Sequence, residues 1–443
     1  MKQGQRLFLF TALTRMYTIY YKPQSGGRWE TIMKINDTQL SLVKDRIRTL
    51  QEFGTPLYKD KLAHVNPEDL TTPEAFEALP FTEKGELRDV YPLGNQAVPD
   101  SEIVRIHSSS GTTGTPIIIP YTKQDVEDWT TMFARCYEVA GITSRDRIHI
   151  TPGYGLWTAG IGFQLGCERL GAMAIPMGPG NTDKQLKMMV DMGSTVLCAT
   201  SSYALLLAEE IEKRGIRDQI KLRKGVIGSE RWGDKMRQRI SDELGVELYD
   251  IYGLTEIYGP GIGINCAKDE PMHYWDDYIY LEIIDPKTGK TLPDGEIGEI
   301  VITTLKKQGA PLIRYRTHDL SRIVTEPCSC GLRFPRIDRI IGRSDDMVKV
   351  KGVNIYPGQI EDVLRDVNGV SSEYQVMIDH MNGKDIMTLF FEINEGASKE
   401  AMEEVVRSVF KTKIGLLIEP KAVAMGELPR SEKKSTRIYD NRY

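Results

Sequence analysis

The chain has 443 residues, enough for one large domain and one small one. Hydrophobic residues make up 40%, charged residues 27%, and the formal net charge is −5. This composition is ordinary for a globular protein and gives no basic field for nucleic acid, and no apolar run reaches the roughly 18 residues of a membrane helix. We therefore expect no nucleic-acid or membrane partner and a cytoplasmic location.

Residues 1–35 are interpreted as a peripheral N-terminal extension of uncertain status, with Met33 as an alternative start. Lys2 and Arg6 precede an apolar run at positions 7–10, but no clear cleavage site follows it.

The chain from residue 40 to about 275 predicts an α/β domain with a largely parallel sheet. Residues 40–95 are predicted to be helical and rich in loops. Strands then alternate with helices, one of which is predicted to begin after Thr122 and to stop at Gly141. The predicted strands are 103–107, 117–119, 147–151, 172–176, 196–199, 226–227 and 247–251. Ligands of such sheets bind at the carboxyl ends of the strands.

The pattern changes after residue 275. Segments 278–284 and 299–304 alternate like half-buried strands and predict a β-rich subdomain. The last block, 345–443, has the order strand, helix, strand, strand, helix, strand, typical of a small α+β domain. We predict a large domain at 36–342 and a small one at 343–443.

The segment 108–116 is the strongest candidate site. Its two glycines free the backbone to curl around an anion, and its hydroxyls can donate to phosphate oxygens. It lacks the Gly-Lys-Ser/Thr ending of a Walker loop, and a strand follows it. The alternative is a polar hairpin turn. The residues predicted to bind phosphate are Ser109, Ser110, Gly111, Thr112, Thr113 and Gly114.

Three further polar clusters follow or adjoin predicted strands. In 252–256, Tyr252 and Gly253 can face a purine, Thr255 can bind phosphate, and Glu256 can hold Mg²⁺. The second cluster contains Gly228, Ser229 and Glu230, and the third, at 315–319, ends on Asp319, which can bind ribose hydroxyls. Each is common by itself; the alternative for Asp319 is a turn or cap residue.

Two further segments lie at the start of the predicted small domain and within it. Residues 342–346 are rich in turn formers and predict a hinge between the domains. Residues 428–435 are basic, and the simplest interpretation is a solvated tail.

Taken in order, these segments resemble the phenylacetate–CoA ligase family of the adenylate-forming acyl-CoA synthetases. The resemblance covers about residues 40–443. It rests on Ser-Ser-Gly-Thr-Thr-Gly-Thr-Pro (109–116), Tyr-Arg-Thr-His-Asp-Leu (315–320), Gly-Arg-Ser-Asp-Asp-Met (342–347), Gly-Val-Asn-Ile-Tyr-Pro (352–357) and Leu-Pro-Arg-Ser-Glu (428–432). The family often has Ala-Glu-Pro where this chain has 229–231, Arg or Gly at His318, and Gly at Lys433.

The resemblance implies an ATP-dependent acid–CoA ligase that forms an acyl-adenylate and releases pyrophosphate. Lys434 is then the catalytic cation, Asp319 and Arg343 hold the ribose, and Asp345 is the pivot of a mobile small domain. Lys351, Gly352 and Val353 lie at the thioester site. The implied cofactors are ATP, Mg²⁺ and coenzyme A, and the family suggests a homodimer.

The acid pocket is predicted near Tyr154 and Trp157, with Gly228 as a floor. Aromatic walls and small residues suit a flat aryl acid such as phenylacetate; the alternative for Trp157 is core packing. Three other functions stay open: loading of a carrier protein, a non-catalytic acid or nucleotide sensor, and an ADP-forming phosphotransferase.

The six cysteines divide into two groups. Cys136, Cys167 and Cys198 lie in apolar stretches and are predicted core residues. Cys266 and His273, with the pair Cys328 and Cys330, predict a closed Cys₃His zinc site of structural type. The alternative is three reduced cysteines and a surface histidine.

Overall fold

The computed structural model describes residues 33–109, 115–230, 232–381, 384–430 and 436–442. Its helices are α1 (Asp37–Phe53), α2 (Pro73–Glu77), α3 (Lys84–Asp89), α4 (Lys123–Val139), α5 (Thr158–Leu170), α6 (Thr182–Met192), α7 (Ser201–Lys213), α8 (Asp234–Leu244), α9 (Pro357–Arg365) and α10 (Lys399–Ile414). Thr122 caps α4 as predicted, because its hydroxyl accepts a hydrogen bond from the amide of Asp125.

A nine-stranded sheet forms the largest layer. Its strands are β3 (Arg147–Ile150), β4 (Met173–Pro176), β5 (Val196–Thr200), β6 (Lys224–Gly228), β7 (Glu247–Leu254), β8 (Gly259–Asn265), β9 (Met272–Tyr274), β13 (Ile323–Val324) and β14 (Arg336–Ile337). The order is β13-β14-β9-β8-β7-β6-β5-β3-β4. Strands β4, β3, β5, β6 and β7 are parallel, and the remainder pair antiparallel. The predicted parallel α/β sheet is confirmed.

A second sheet of four antiparallel strands contains β10 (Ile279–Ile284), β11 (Gly298–Thr304), β12 (Tyr315–Ser321) and β15 (Gly342–Arg343), in that order. Every residue of β10 and β11 is buried. The prediction of half-buried strands is therefore wrong here. Both faces of these two strands are covered by other parts of the chain, which overrides the alternation.

The C-terminal region, residues 343–442, has its own mixed sheet. Strands β18 (Val370–Met381), β19 (Lys384–Ile393), β20 (Glu419–Ala424) and β21 (Ile438–Asp440) are ordered β20-β19-β18-β21. Two hairpins complete the described strands, β1 (Ile103–Ser108) with β2 (Ile118–Thr122), and β16 (Val348–Val350) with β17 (Val353–Ile355).

Buried hydrophobic residues fall into three clusters. The first includes one face of the nine-stranded sheet and extends to α1 and the second sheet, and the second lies on the other face of the large sheet. The third, from Val350 to Ala422, lies wholly within the C-terminal region. The separate core is what a small domain needs, although the boundary at 342/343 stays a prediction. Cys136, Cys167 and Cys198 are buried as predicted. Among the described helices, none has the length and apolarity to cross a membrane.

Candidate functional site

Parallel strands β3, β5, β6 and β7 bring their carboxyl ends to one edge of the large sheet. The chain after β3 carries Tyr154, β6 ends on Gly228, and β7 runs on through Tyr252. Three of the segments singled out in the sequence therefore meet at this edge, as expected for a doubly wound sheet.

The hydroxyl-rich segment lies between strands β1 and β2, and β1 contacts the chain after β3, because the Ser108 amide donates to the Leu156 carbonyl at 2.7 Å. Ser109 exchanges hydrogen bonds with Ile117: its amide donates to the Ile117 carbonyl, and its hydroxyl accepts from the Ile117 amide, both at 3.0 Å. These bonds close the base of the loop. The predicted phosphate ligands Ser110, Gly111, Thr112, Thr113 and Gly114 lie outside the described residues.

A polar network joins the two sheets. The Tyr252 hydroxyl donates to Asp319 Oδ2 at 2.7 Å, and Arg343 Nη1 donates to Asp319 Oδ1 at 3.1 Å. Arg343 also binds both oxygens of Asp345 at 2.8 Å. Burial raises the pKa of Asp319, and the Arg343 guanidinium opposes that shift. Asp319 lies within β12 opposite Arg343 of β15, so the turn or cap alternative is wrong.

Tyr252 and Gly253 belong to β7 and do not follow it, because β7 continues past its parallel partner to pair with β8 across a bulge. A Cβ on Gly253 would lie 2.1 Å from the carbonyl oxygen of Gly259, so only glycine fits this close approach.

Thr255 and Glu256 come just after β7. The hydroxyls of Thr255 and Thr158 are 3.3 Å apart. Glu256 is buried, and its Oε1 lies 3.0 Å from the Lys84 ammonium. This contact is an ion pair, and Oε1 has no hydrogen-bond partner among the described residues. A buried carboxylate oxygen with spare acceptor capacity suits a hard cation such as Mg²⁺.

Gly228 ends β6 where a Cβ would lie 2.5 Å from the Ile251 carbonyl oxygen. Ser229 follows with φ 70°, a left-handed conformation that turns the chain at the sheet edge. Glu230 accepts hydrogen bonds from the Ser201 hydroxyl and the Ser202 amide, at 2.9 and 3.0 Å. The carboxylate of Glu230 therefore caps α7 in this structure.

The predicted acid-pocket residues lie at the same edge of the large sheet, Tyr154 and Trp157 in the chain after β3 and Gly228 at the end of β6. Trp157 is 45% exposed, which excludes the core-packing alternative. The Tyr154 hydroxyl is buried and has no hydrogen-bond partner among the described residues. Gly160 and Gly178 lie against the Tyr154 ring, so small residues make room for it.

The predicted hinge lies next to the polar network. His318, at φ 64°, places Nδ1 at 3.1 Å from the Ser344 hydroxyl and 3.5 Å from Glu299. The Glu299 carboxylate raises the pKa of His318. Asp345 is half-exposed and bound by Arg343.

Residues Lys351 and Gly352, both at positive φ, form the two-residue turn of the β16–β17 hairpin, and Val353 begins β17. Lys434 lies outside the described residues.

Two lysines near Glu256 were missed in the sequence. Lys84 begins α3 and pairs with Glu256. Lys307 is fully buried, donates to the Ile257 carbonyl and lies 4.1 Å from the Tyr121 ring centre. Burial lowers the pKa of Lys307 to about 7. Lys84 lies in the segment predicted only to be helical and rich in loops, and nothing in the sequence around Lys307 distinguishes it from a surface lysine.

The four predicted zinc ligands converge. Ligand atoms of Cys266, His273, Cys328 and Cys330 all lie within 4.8 Å of one another. Pairing of β14 with β9 brings the 328–330 turn to His273. The sulfurs of Cys266 and Cys328 are 3.4 Å apart, and Cys330 Sγ is 3.3 Å from His273 Nε2. His273 is 0% exposed, so the alternative of a surface histidine is wrong.

Comparison with known proteins gives two family matches. Residues 36–305 match the AMP-binding enzyme family, and residues 352–442 match the AMP-binding enzyme C-terminal domain. The phenylacetate–coenzyme A ligase of Pseudomonas putida is 42% identical over 403 residues, which cover 88% of this chain and 90% of that protein.

Solved structures of a 2-hydroxyisobutyryl-CoA ligase resemble the chain in two states. The postadenylation state with 2-HIB-AMP has a TM-score of 0.83 at 26% identity. The thioesterification state with 2-HIB-AMP and CoA has a TM-score of 0.67 at 27% identity. Each comparison covers 96% of this chain and 95% of the other.

Proposed function

The chain belongs to the AMP-binding enzyme family, and on that premise we propose that it joins phenylacetate or a related aryl acid to coenzyme A at the expense of ATP. The observation that carries the proposal is the network of Tyr252, Asp319 and Arg343, which links the two sheets. It offers a carboxylate for ribose hydroxyls and a ring for the base.

The chemistry requires activation of a carboxylate. Its oxygen attacks the α-phosphate of ATP, forming the acyl-adenylate and releasing pyrophosphate, and the CoA thiolate then displaces AMP. Charge neutralisation and positioning carry both steps. Residues 109–114 would hold the β- and γ-phosphates, Glu256 would hold Mg²⁺, Thr255 would bind phosphate, and Lys434 would approach the reacting carboxylate.

Tyr154, Trp157 and Gly228 support an aryl acid as the substrate. Tyr154 and Trp157 follow β3 at the sheet edge, and the hydroxyl of Thr158, the next residue, lies 3.3 Å from that of Thr255. The Pseudomonas relative is a phenylacetate–coenzyme A ligase, which supports phenylacetate as the first acid to test.

The test is acid-dependent pyrophosphate release across aryl, indolyl and short fatty acids, followed by identification of the CoA thioester and AMP. We expect the highest kcat/KM for phenylacetate or a close analogue. ADP as the product would contradict the adenylate route. A carrier protein used in place of free CoA would contradict the acceptor.

Lys434→Ala separates the half-reactions. Adenylate formation should fall by orders of magnitude, because a positioned cation stabilises charge on the α-phosphate. Thioester formation from supplied phenylacetyl-adenylate should largely survive. Lys433→Ala is the matched control; a larger loss with that variant would assign the role to Lys433.

The Cys266–His273–Cys328–Cys330 cluster supports a structural zinc ion. Tetrahedral zinc with Zn–S bonds of about 2.3 Å separates its sulfurs by about 3.8 Å, close to the spacing found. His273 Nδ1 lies 2.9 Å from the Phe334 carbonyl, which leaves Nε2 free to bind metal. With four protein ligands no open position remains for catalysis.

Metal analysis of protein purified without chelator should find about one zinc per chain, and zinc should raise the Tm of the metal-free protein. An unchanged Tm on zinc addition would contradict this site. A homodimer and a cytoplasmic location also stay predictions, and the sedimentation mass tests the first.

A further inference from the structure

Lys235 connects the two core-bearing parts of the chain. It lies in the first turn of α8. Its Nζ donates to the carbonyl oxygens of Leu364, Val367 and Val370, at 2.9, 2.8 and 2.6 Å. Because α9 ends at Arg365, these carbonyls lie at and just beyond a helix C-terminus, where negative partial charge accumulates. All three ammonium protons are used.

The position of Lys235 does not suit its own helix. A cation in the first turn of α8 opposes the positive end of that helix dipole. Burial lowers the pKa of Lys235, although Asp366 opposes the shift. The contacts with the C-terminal region therefore provide the physical reason for a lysine here.

Arg430 forms a second bridge between the same two parts. It binds Glu392 of β19 through Nη1 and Nη2, both at 2.9 Å. It binds Glu209 of α7 through Nη2 at 2.7 Å and Nε at 3.0 Å. The Glu392 side chain is 0% exposed and that of Arg430 is 9% exposed. Arg239 of α8 also binds Glu209, at 2.8 Å. Such desolvated, multiply bonded pairs are costly to break by removing one partner.

We propose that Lys235 and Arg430 are positioning residues that hold the C-terminal region in the arrangement for adenylation. This inference rests on the proposed function. The chain superposes better on the postadenylation state of the 2-hydroxyisobutyryl-CoA ligase than on its thioesterification state. Arg430 also stands four residues before Lys434 in the sequence.

Contacts made in one arrangement stabilise it relative to another in which they are absent. Removing these contacts should lower the rate of adenylation relative to the rate of thioester formation, while the groups proposed to contact ATP stay in place. Among the residues that bind Arg430, Glu209 is the most informative to change, because it belongs to α7 of the large domain. It pairs with Arg430 of the C-terminal region and with Arg239 of α8.

The experiment measures the half-reactions separately in the full-length protein. Lys235→Met and Glu209→Ala should each lower phenylacetate-dependent ATP–pyrophosphate exchange about tenfold or more. Thioester formation from supplied phenylacetyl-adenylate and CoA should stay within about twofold or rise. Arg430→Ala should resemble Glu209→Ala in its effect on exchange, and the double variant should lose little more than the stronger single variant, because both changes remove the shared Arg430–Glu209 contact.

Lys187→Met is the matched control, since Lys187 is exposed and pairs only within α6, with Asp191, among the contacts described. Equal loss of both half-reactions would overturn the inference and indicate a purely structural role, as would unchanged exchange in Lys235→Met and Glu209→Ala. A wild-type enzyme that makes no adenylate and no thioester with any tested acid would instead overturn the proposed function itself.

Discussion

Glu282 and Glu256 are both buried carboxylates, yet their surroundings differ. Glu282 lies in the fully buried strand β10, where Arg314 binds both its oxygens at 2.8 and 3.2 Å. Arg314 also donates to the Leu79 carbonyl at 2.9 Å. Glu256 lies at the edge of the large sheet, and its Oε1 meets Lys84 without a hydrogen bond.

The difference separates buried polar groups whose hydrogen bonds are all made within the protein from those with capacity left for the proposed ligands. A buried ion pair whose hydrogen bonds are all made, such as Glu282 with Arg314, holds secondary-structure elements together. Loss of one partner leaves an isolated buried charge. An unsaturated acceptor at a sheet edge costs stability unless something binds there. The Tyr154 hydroxyl belongs to the second class by the same criterion.

Glu282→Ala should show the largest loss of stability. Arg314 would stay buried without its partner, so the free energy of unfolding should fall by about 3–5 kcal/mol. Urea denaturation measures the loss, and activity per folded molecule should stay close to wild type below the transition. A loss under about 1 kcal/mol would remove Glu282 from the structural class.

Glu256→Gln should act mainly on chemistry. Loss of the carboxylate should reduce adenylation about 100- to 1,000-fold through weaker metal binding, with little change in Tm. Pyrophosphate exchange at increasing Mg²⁺ measures it, and exposed Glu127→Gln is the control. A large fall in Tm with unaltered Mg²⁺ dependence would place Glu256 with Glu282.

His149 is a buried side chain whose two ring nitrogens both have hydrogen-bond partners, so the pH dependence of stability tests its role. Its ring nitrogens lie 3.2 Å from the Ser194 hydroxyl and 2.7 Å from Gln185, and burial lowers its pKa from 6.5 to about 4. The unfolded chain then binds more protons between these values, so stability falls as pH drops below 6.5. At pH 5 the cost is about 2 kcal/mol. His149→Gln should lose that much less between pH 7 and 5 in urea titrations, and an unchanged slope would contradict the shift.

Tyr252→Phe should give the smallest effect. It removes the hydroxyl group that donates a hydrogen bond to Asp319 but leaves the aromatic ring and Arg343 in place. We expect KM for ATP to rise about tenfold or less, with kcat nearly unchanged, because one hydrogen bond to a charged group is lost. A fall in kcat without a change in KM would argue against a nucleotide-positioning role.

Local sequence patterns determined the order of helices and strands in the large domain. Thr122 and Gly141 bracketed α4, and the strands of the parallel sheet were predicted within a few residues. Capping and hydrophobic spacing act within one element, so one sequence reveals them. Motif order likewise indicated the family before any contact was known.

Only the tertiary structure decided which predicted residues meet and which distant ones join them. Tyr252 and Asp319 are 67 residues apart, yet strand pairing and the packing of two sheets bring them to 2.7 Å. Burial on both faces made β10 and β11 fully buried where alternation predicted half-buried strands. No local sequence pattern distinguishes Lys84, Lys307 and Lys235 from surface lysines. Their roles depend on hydrogen-bond acceptors and carboxylates that other parts of the chain supply.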